Sequence, residues 1–268
     1  MKTKIIAELC YNHQGDMDIA KKMIDECADL GLWAVKLQKW DIDSFPPEIK
    51  NKKRSDKNAF GKTYIEHRRA LEFHVKQLIE LKDYAESKGL VFICSGKDFE
   101  SVKQIVFAGI KHIKLPSQRY FDNKIYNFLM ANKADIKIYV STGMNTEHEN
   151  LKSKWTRHAD VVFHCVSLYP VKDENADLGI IRKYDFYNGY SCHEKTGRGI
   201  KYAVAMGVEY IERHYTFDKK AKGSDHLLSS DKTEMQRIIK EVNEAEMMTG
   251  PRRMTRDEEL NRNYYRGF

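Results

Sequence analysis

A chain of 268 residues with 41% hydrophobic and 32% charged residues has the composition of a globular protein with a sizeable core. Its formal net charge of +7 is modest, and no uninterrupted apolar stretch approaches the roughly 18 residues of a membrane span. Glu8, Asn12 and His13 interrupt the apolar start before a signal-peptide core can form. These features argue against membrane and secreted proteins. They predict one cytoplasmic domain, because single α/β barrels often reach about 250 residues.

The cysteines and the densest basic run are both compatible with a cytoplasmic globular protein. The five cysteines are an odd number without a CxxC pair, which indicates reduced thiols rather than disulfides or a structural zinc site. The densest basic run, KNKKRSDK at residues 50–57, has no nucleic-acid-binding motif beside it. It is either a solvated loop or a region that attracts an anionic substrate, and no nucleic-acid partner is expected.

Short β-branched runs alternate with helical patterns along almost the whole chain, which predicts βα units around a parallel sheet. A helical apolar period follows most of these runs, as at residues 19–30 and 71–85. Eight strands are predicted, at residues 5–9, 34–38, 90–94, 112–115, 136–141, 161–166, 186–191 and 208–213.

Eight strands favour a single-domain (β/α)8 TIM barrel over a doubly wound sheet. A barrel collects its chemistry in the loops after every strand, whereas a doubly wound sheet places it at one switch point. Hydrogen-bonding or ionisable residues stand at or just past the end of all eight predicted strands, which favours the shared rim of a barrel. They include Glu8, Gln38, Ser95, Ser117, Ser141, Ser167, His193 and His214.

Two histidines predict a metal site on this rim. His193 and His214 follow neighbouring strands, so their neutral imidazoles can bind one divalent cation. Glu8 lies across the seam of the closed barrel, and Asp225 lies in the loop after strand eight. A carboxylate and water would complete an open coordination sphere.

Two lysines predict an anionic substrate. Lys36 and Lys114 interrupt the apolar segments VKLQ and IKLPS, where a buried ammonium is costly unless an anion accepts it. Together with strand-end serines they suit a small, multiply anionic molecule. No GxGxxG, P-loop or Gly-x-Ser-x-Gly element occurs, so nucleotide cofactors and serine-hydrolase chemistry have no support.

Ordered blocks of sequence can be compared with a known family. The first is IAELCYNHQGDMDIAKKMIDECADLGLWAVKLQ, and KLPS, VSTGM, FHCVSLYP, GYSCHEKTG and IERHYTFDKKAKGSDH follow it. In content and order they resemble the motifs of the sialic acid synthase family, whose members make N-acetylneuraminate and related nonulosonates. The resemblance implies a barrel enzyme and extends from about residue 4 to about residue 247.

The resemblance also implies an activity. Members of the family condense phosphoenolpyruvate with an amino-sugar or other sugar aldehyde, release phosphate and form a nonulosonic 2-keto-3-deoxy acid. They use a divalent metal such as Mn²⁺, with Mg²⁺ and Co²⁺ as further candidates. The chain is therefore expected to be a metal-dependent transferase of carbohydrate biosynthesis, and the resemblance implies a homodimer.

Individual residues take expected roles from the same resemblance. His193 and His214 match the metal-binding histidines, and Glu8, Lys114 and Asp225 are the expected catalytic residues. The expected substrate-binding residues are Asn12, Lys36, Gln38, Ser95, Ser117, Arg119, Ser141, Ser167, Tyr169 and Ser191.

The chain departs from the family pattern around the sugar site. Gly96 and Lys97 replace Pro-Phe in the usual S-T-P-F-D, and Arg119 stands where an acidic or polar residue is common. Ser167 replaces an asparagine, and Cys192 replaces the aspartate of S-D-H. The change at Arg119 concerns the acceptor sugar, Lys97 adds a cation to the rim, and Cys192 changes the surroundings of His193.

The end of the chain is expected to differ as well. Residues 1–249 are predicted to form the barrel and residues 250–268 a linker-like tail, without the antifreeze-like domain of other members. That domain gives an arginine to the partner's sugar site. Arg119 or Lys97 would replace it here, or the acceptor is not the usual N-acetyl sugar.

Two alternative functions remain open at this point. One is a related barrel aldolase that acts through a metal or through an imine at Lys114 or Lys36. The other is a barrel that binds a sugar acid or a partner protein without turnover.

Overall fold

Eight parallel strands follow one another around a closed barrel in chain order, and the last pairs with the first. The structure is a computed structural model that describes residues 2–251 and 253–266. The strands are β1 Lys4–Cys10, β2 Ala34–Lys39, β3 Val91–Gly96, β4 His112–Leu115, β5 Lys137–Ser141, β6 Val161–His164, β7 Gly189–Cys192 and β8 Tyr210–His214. The predicted TIM barrel is confirmed.

Helices follow the strands on the outside of the barrel. They are α1 Met17–Asp29, α2 Pro47–Lys50, α3 Tyr64–Leu71, α4 Val75–Ser87, α5 Phe99–Phe107, α6 Asn123–Ala131, α7 Glu147–Lys152, α8 Trp155–His158, α9 Gly179–Lys183, α10 Gly199–Ala205, α11 Lys232–Met248 and α12 Arg256–Arg266. Short 3₁₀ helices lie at Ile42–Ser44, Ser117–Arg119 and Asp173–Asn175.

The last helix belongs to the predicted tail. No residue of α12 is buried, and the division into residues 1–249 and 250–268 remains a prediction. Within the described residues, none of the helices has the length and apolar character required to span a membrane.

The predicted bounds differ most at β7, which begins three residues later than expected. The side chain of Asn188 accepts a hydrogen bond from Val162 N at 2.9 Å and donates one to Asp160 O at 3.0 Å. These side-chain hydrogen bonds use backbone groups at the start of β6, which would otherwise form hydrogen bonds with the backbone of a longer β7. Phe186 and Tyr187 pack on the core outside the barrel, so their apolar character does not require a strand.

Alternation along the strands divides the barrel interior into layers. An apolar layer closes the amino-terminal end and consists of Ile6, Ala34, Ile93, Tyr139, Val161, Phe163 and Tyr210. Two residues further along five of these strands, the inward side chains are polar: Glu8, Lys36, Ser95, Ser141 and Glu212. The polar layer therefore faces the opposite, carboxyl-terminal end.

A buried arginine fixes the loops at that end. Arg213, on the outward side of β8, is 0% exposed. Its guanidinium donates to Glu194 O at 2.5 Å, to Leu228 O at 2.8 Å and to Ser230 Oγ at 2.8 Å. Because Glu194 follows β7 and the other two residues follow β8, one side chain ties both loops to the barrel.

Gly31, which ends the turn after α1, provides a test of the fold. Its φ is +68°, and an added Cβ would meet no atom within 4 Å. Gly31→Ala is expected to lower the free energy of unfolding by about 1 kcal/mol. The added methyl group has space, so the loss comes only from the left-handed backbone conformation, which is unfavourable for alanine. Urea unfolding curves measure this change.

Gly179→Ala is the matched control. An added Cβ at Gly179 would also meet no atom within 4 Å, but the φ of Gly179 is not positive. Gly179 lies in the first turn of α9. The alanine should leave stability unchanged or raise it by up to about 1 kcal/mol. Equal losses in the two variants would contradict the assigned backbone conformations.

Candidate active site

A cavity of about 310 Å³ opens at the carboxyl ends of the strands, above the polar layer. Its position is the one that barrel enzymes use for their active sites. All but two of the predicted site residues line it: Glu8, Lys36, Gln38, Ser95, Lys114, Ser117, Ser141, Ser167, Tyr169, Ser191, His193, His214 and Asp225.

Asn12 and Arg119 lie outside this lining. The buried amide of Asn12 donates to Tyr215 O at 2.8 Å and to Ser229 Oγ at 3.0 Å, so it joins the β1 loop to the β8 loop. Arg119 ends a 3₁₀ turn, in which successive side chains are rotated by about 120°. Ser117 therefore faces the cavity while Arg119 lines a neighbouring cleft. Neither residue occupies the position predicted for it.

Two lysines and two glutamates form a buried ion network across the floor of the cavity. Lys36 Nζ lies 2.6 Å from Glu8 Oε2 and 3.6 Å from Glu212 Oε2. Lys114 Nζ lies 2.7 Å from the same Glu212 oxygen. The anion that each buried lysine requires is therefore already present as a carboxylate of the chain.

Burial and pairing act differently on the members of the network. Burial lowers the pKa of Lys114, and its one partner, Glu212, offsets this only in part. Burial also opposes the charge of Lys36, but Glu212 and Glu8 together raise its pKa. Glu212 resists protonation, because Lys114 and Lys36 outweigh burial and lower its pKa. Lys114 is thus the ammonium that is easier to deprotonate.

Polar groups converge over Gly143 in the wall of the cavity. A Cβ at Gly143 would lie 2.9 Å from both Ser117 Oγ and Cys165 Sγ and would clash with Ser167 Oγ. The hydroxyl of Ser117 lies 3.5 Å from the thiol of Cys165. The glycine of the VSTGM block therefore leaves a small polar recess open.

His193 and His214 are neighbours, with ring centroids 5.7 Å apart. Val166 O lies 2.7 Å from Nδ1 of His193 and accepts its hydrogen, which leaves Nε2 as an acceptor. Burial lowers the pKa of His193 to about 4 and that of His214 to about 3. Both imidazoles are therefore neutral at pH 7, which is the form that binds metals.

Cys10 and Asp225 lie beside His214. The potential ligand atoms of the three residues are all within 4.8 Å of one another. Cys10 Sγ donates to Asp225 Oδ2 at 2.5 Å, and Gln38 Nε2 lies 3.1 Å from the same sulfur. Burial, together with Asp225 and Glu8, raises the pKa of Cys10 well above its usual range. The predicted metal site thus contains a protonated thiol.

Comparison with known protein families identifies the family of the chain. A model of the NeuB family matches residues 23–253 of the chain. The chain belongs to the NeuB family. The family membership predicted from the sequence is confirmed.

Relatives of this NeuB chain include synthases of N-acetylneuraminate-9-phosphate and of N,N'-diacetyllegionaminic acid. It is 34% identical over 259 residues to N-acetylneuraminate-9-phosphate synthase of Mus musculus, covering 92% of this chain and 71% of the relative. The N,N'-diacetyllegionaminic acid synthase of Legionella pneumophila is 30% identical over 261 residues, with 92% and 73% covered. The predicted class of enzyme, a synthase, is therefore confirmed.

A solved structure supports the same assignment. The N-acetylneuraminic acid synthetase of Leptospira borgpetersenii, crystallised with citrate, superimposes with a TM-score of 0.83 and 26% identity. The match covers 99% of this NeuB chain and 92% of the other. The barrel of this chain is therefore similar to the barrel of a sialic acid synthetase.

Eleven of the residues that line the cavity are absent from the predicted site, and they include three with charged or metal-binding groups: Glu212, Cys10 and Lys97. Glu212 stands two residues before His214 on β8, so strand alternation places it on the inward side although it precedes the end of the strand. Cys10 lies beyond a register shift between Glu8 and Cys10, which no single-sequence pattern signals. Lys97, a departure from the family pattern, lines the cavity where Arg119 does not.

The ion network predicts an unequal effect of single and double substitutions. Glu212→Leu should lower the free energy of unfolding by about 3–5 kcal/mol, because it leaves Lys114 buried without its carboxylate. Adding Lys114→Met removes that unpaired charge and should recover much of the loss. Urea unfolding at pH 7 measures both variants. A double variant as unstable as the single one, or less stable, would contradict the pairing.

Proposed function

We propose that this NeuB member joins phosphoenolpyruvate to the aldehyde of a sugar or amino sugar, forms a nonulosonic 2-keto-3-deoxy acid and releases phosphate. The observation that carries the proposal is one cavity that combines buried lysines and serine hydroxyls with two neutral histidines. The lysines and hydroxyls suit an anionic enol phosphate, and the histidines suit a divalent cation. A cytoplasmic homodimer is part of the proposal.

The charge of the cavity favours an anionic substrate. Its lining contains three carboxylates and four cationic side chains, namely Lys36, Arg68, Lys97 and Lys114. The other three cations pair with glutamates, whereas Lys97 makes no ion pair within the described residues. Burial lowers the pKa of Lys97, so a bound carboxylate or phosphate would stabilise its charge. Lys97 therefore takes the substrate-binding role expected of Arg119.

The serines divide into two groups. Ser95 Oγ accepts a hydrogen bond from Lys36 Nζ at 3.2 Å, so its own hydrogen remains available to a substrate oxygen. Ser117 and Ser167, around the recess over Gly143, are placed for the same purpose. Ser191 instead donates to Glu212 Oε1 at 2.9 Å, and its role is to position that carboxylate.

The residues present fit the divalent cation that the family implies. The buried Nδ1 of His214 has no hydrogen-bond partner among the described residues, and the neighbouring groups are ligands that first-row cations accept. His193, His214 and Asp225 would hold the cation, predicted as Mn²⁺ with Mg²⁺ or Co²⁺ as alternatives. When bound, it supplies Lewis-acid polarisation of the sugar aldehyde.

The side chains of the cavity then manage charge and protons. A bond forms between carbon 3 of phosphoenolpyruvate and the aldehyde carbon, and water adds at carbon 2. Phosphate leaves with the bridging oxygen, and the two hydrogens of the water end on the new hydroxyl group and on the phosphate. Lys36, Lys97 and Lys114 stabilise the carboxylate and phosphate. Either Glu8 or Asp225 takes up the proton of the water.

Lys114 gives a specific reason to test an aldolase as the second candidate. Its pKa is lowered by burial, and a lysine must lose its proton before it forms an imine. Its ion pair with Glu212 opposes that loss. Borohydride with pyruvate labels an imine-forming enzyme covalently, whereas a condensing synthase stays unlabelled.

The direct test is phosphate release from phosphoenolpyruvate with a divalent cation and a panel of sugars. The panel includes N-acetylmannosamine, mannose and diamino sugars. Release should require one of the sugars, and His214→Ala should lower the rate at least about 100-fold, because it removes a metal ligand. His148→Ala, an exposed histidine on α7, is the control that should leave the rate unchanged.

The contrary outcomes identify the alternatives. Borohydride labelling without phosphate release would establish the aldolase. A cation that binds without either reaction, across the whole panel, would indicate a barrel that does not catalyse this condensation.

A further inference from the structure

Cys10 occupies an unusual backbone position at the end of β1. The register with β2 shifts between Glu8 and Cys10, and the φ of Cys10 is +50°. A left-handed backbone costs a residue with a side chain about 1–2 kcal/mol, so glycine would fit this position better. The thiol is nevertheless retained, is 3% exposed and lines the cavity.

The sulfur of Cys10 points at groups that bind metals. Its nearest acceptor is Asp225 Oδ2 at 2.5 Å, and the ring of His214 completes a cluster whose ligand atoms lie within 4.8 Å of one another. Each residue comes from a different place: β1, the end of β8 and the loop after β8. Only the closed barrel brings the three groups together.

A second, independent observation concerns His214. Its imidazole is 5% exposed, and Nδ1 has no hydrogen-bond partner among the described residues. A buried polar atom without a partner costs about 1–3 kcal/mol. A ligand that binds Nδ1 at this place would remove that cost.

We propose that Cys10 is a sulfur ligand of the divalent cation, together with His214 and Asp225. The inference deepens the metal site of the proposed function and rests on that site, but it does not depend on the reaction. In the metal-free protein, the thiol of Cys10 donates a hydrogen bond to Asp225. When the cation binds, this proton is released to solvent and the sulfur binds as a thiolate. His193, whose ring centroid lies 5.7 Å from that of His214, would be a further ligand.

A sulfur ligand changes the expected cation. Thiolates favour Zn²⁺ and other borderline cations, whereas Mg²⁺ and Mn²⁺ prefer oxygen. We therefore expect this protein to prefer Zn²⁺ or Co²⁺ over the Mn²⁺ that the family resemblance implies. The preference resides in Cys10, because the other ligands are imidazole and carboxylate.

Cobalt is the probe for the test, because Co²⁺ bound to thiolate shows a sulfur-to-metal charge-transfer band in the near ultraviolet. The metal-stripped full chain is titrated with Co²⁺ alone. The wild type should show the band at one equivalent. Cys10→Gly, which suits the positive φ and removes the sulfur, should lose the band and bind Zn²⁺ at least about tenfold more weakly.

Cys165→Ser is the matched control. Cys165 is a second thiol of the same cavity, but it lies at the recess over Gly143. This variant should keep the band. Cys10→Ser, which preserves the size of the side chain, should lose it, and circular dichroism reports that both Cys10 variants are folded.

Several results would overturn the inference. They are a band that survives in both Cys10 variants, a band that disappears in Cys165→Ser, cobalt bound by the wild type without any band, or no bound cobalt. Phosphate release is measured separately. The band without phosphate release would support the sulfur ligand and reject the proposed reaction. Phosphate release without the band would support the reaction and reject the sulfur ligand.

Discussion

The buried ion network of Glu8, Lys36, Glu212 and Lys114 is the constraint on which the site depends. Four charged groups inside a barrel are unfavourable unless each has a partner at short distance, and Lys36 and Glu212 each serve two partners. The network can form only when β1, β2, β4 and β8 are in register around a closed barrel. Closure of the fold and assembly of the cavity floor are therefore the same event.

The apolar layer below the ion network and the loops above it complete the site. The apolar layer beneath it excludes water from one side, so the cavity opens only toward the strand-end loops. Arg213 holds the β7 and β8 loops against the barrel, which keeps Asp225 beside His214. In the proposed function, the lysines and hydroxyls of the cavity bind the anionic groups of the substrate, and the neighbouring histidines and Asp225 hold the cation. This arrangement suits the condensation of an enol phosphate with an aldehyde.

The barrel could be predicted from the sequence, because each strand and helix has its own apolar period. Most of the lining could be predicted too, because polar side chains past eight parallel strands must share one rim. The sequence did not predict contacts that depend on exact backbone rotation. The 3₁₀ turn directs Arg119 away from the cavity, and the register shift in β1 turns Cys10 into it. Glu212 was missed although its spacing from His214 places it on the inward side.

Phosphoenolpyruvate labelled with ¹⁸O at its bridging oxygen shows which bond breaks when phosphate is released. The labelled substrate is turned over with the sugar acceptor, and the released phosphate is analysed by mass spectrometry. The released phosphate should carry the label, because water adds at carbon 2 and the carbon–oxygen bond breaks. Unlabelled phosphate would mean that the phosphorus–oxygen bond breaks instead, and it would contradict the proposed reaction at this site.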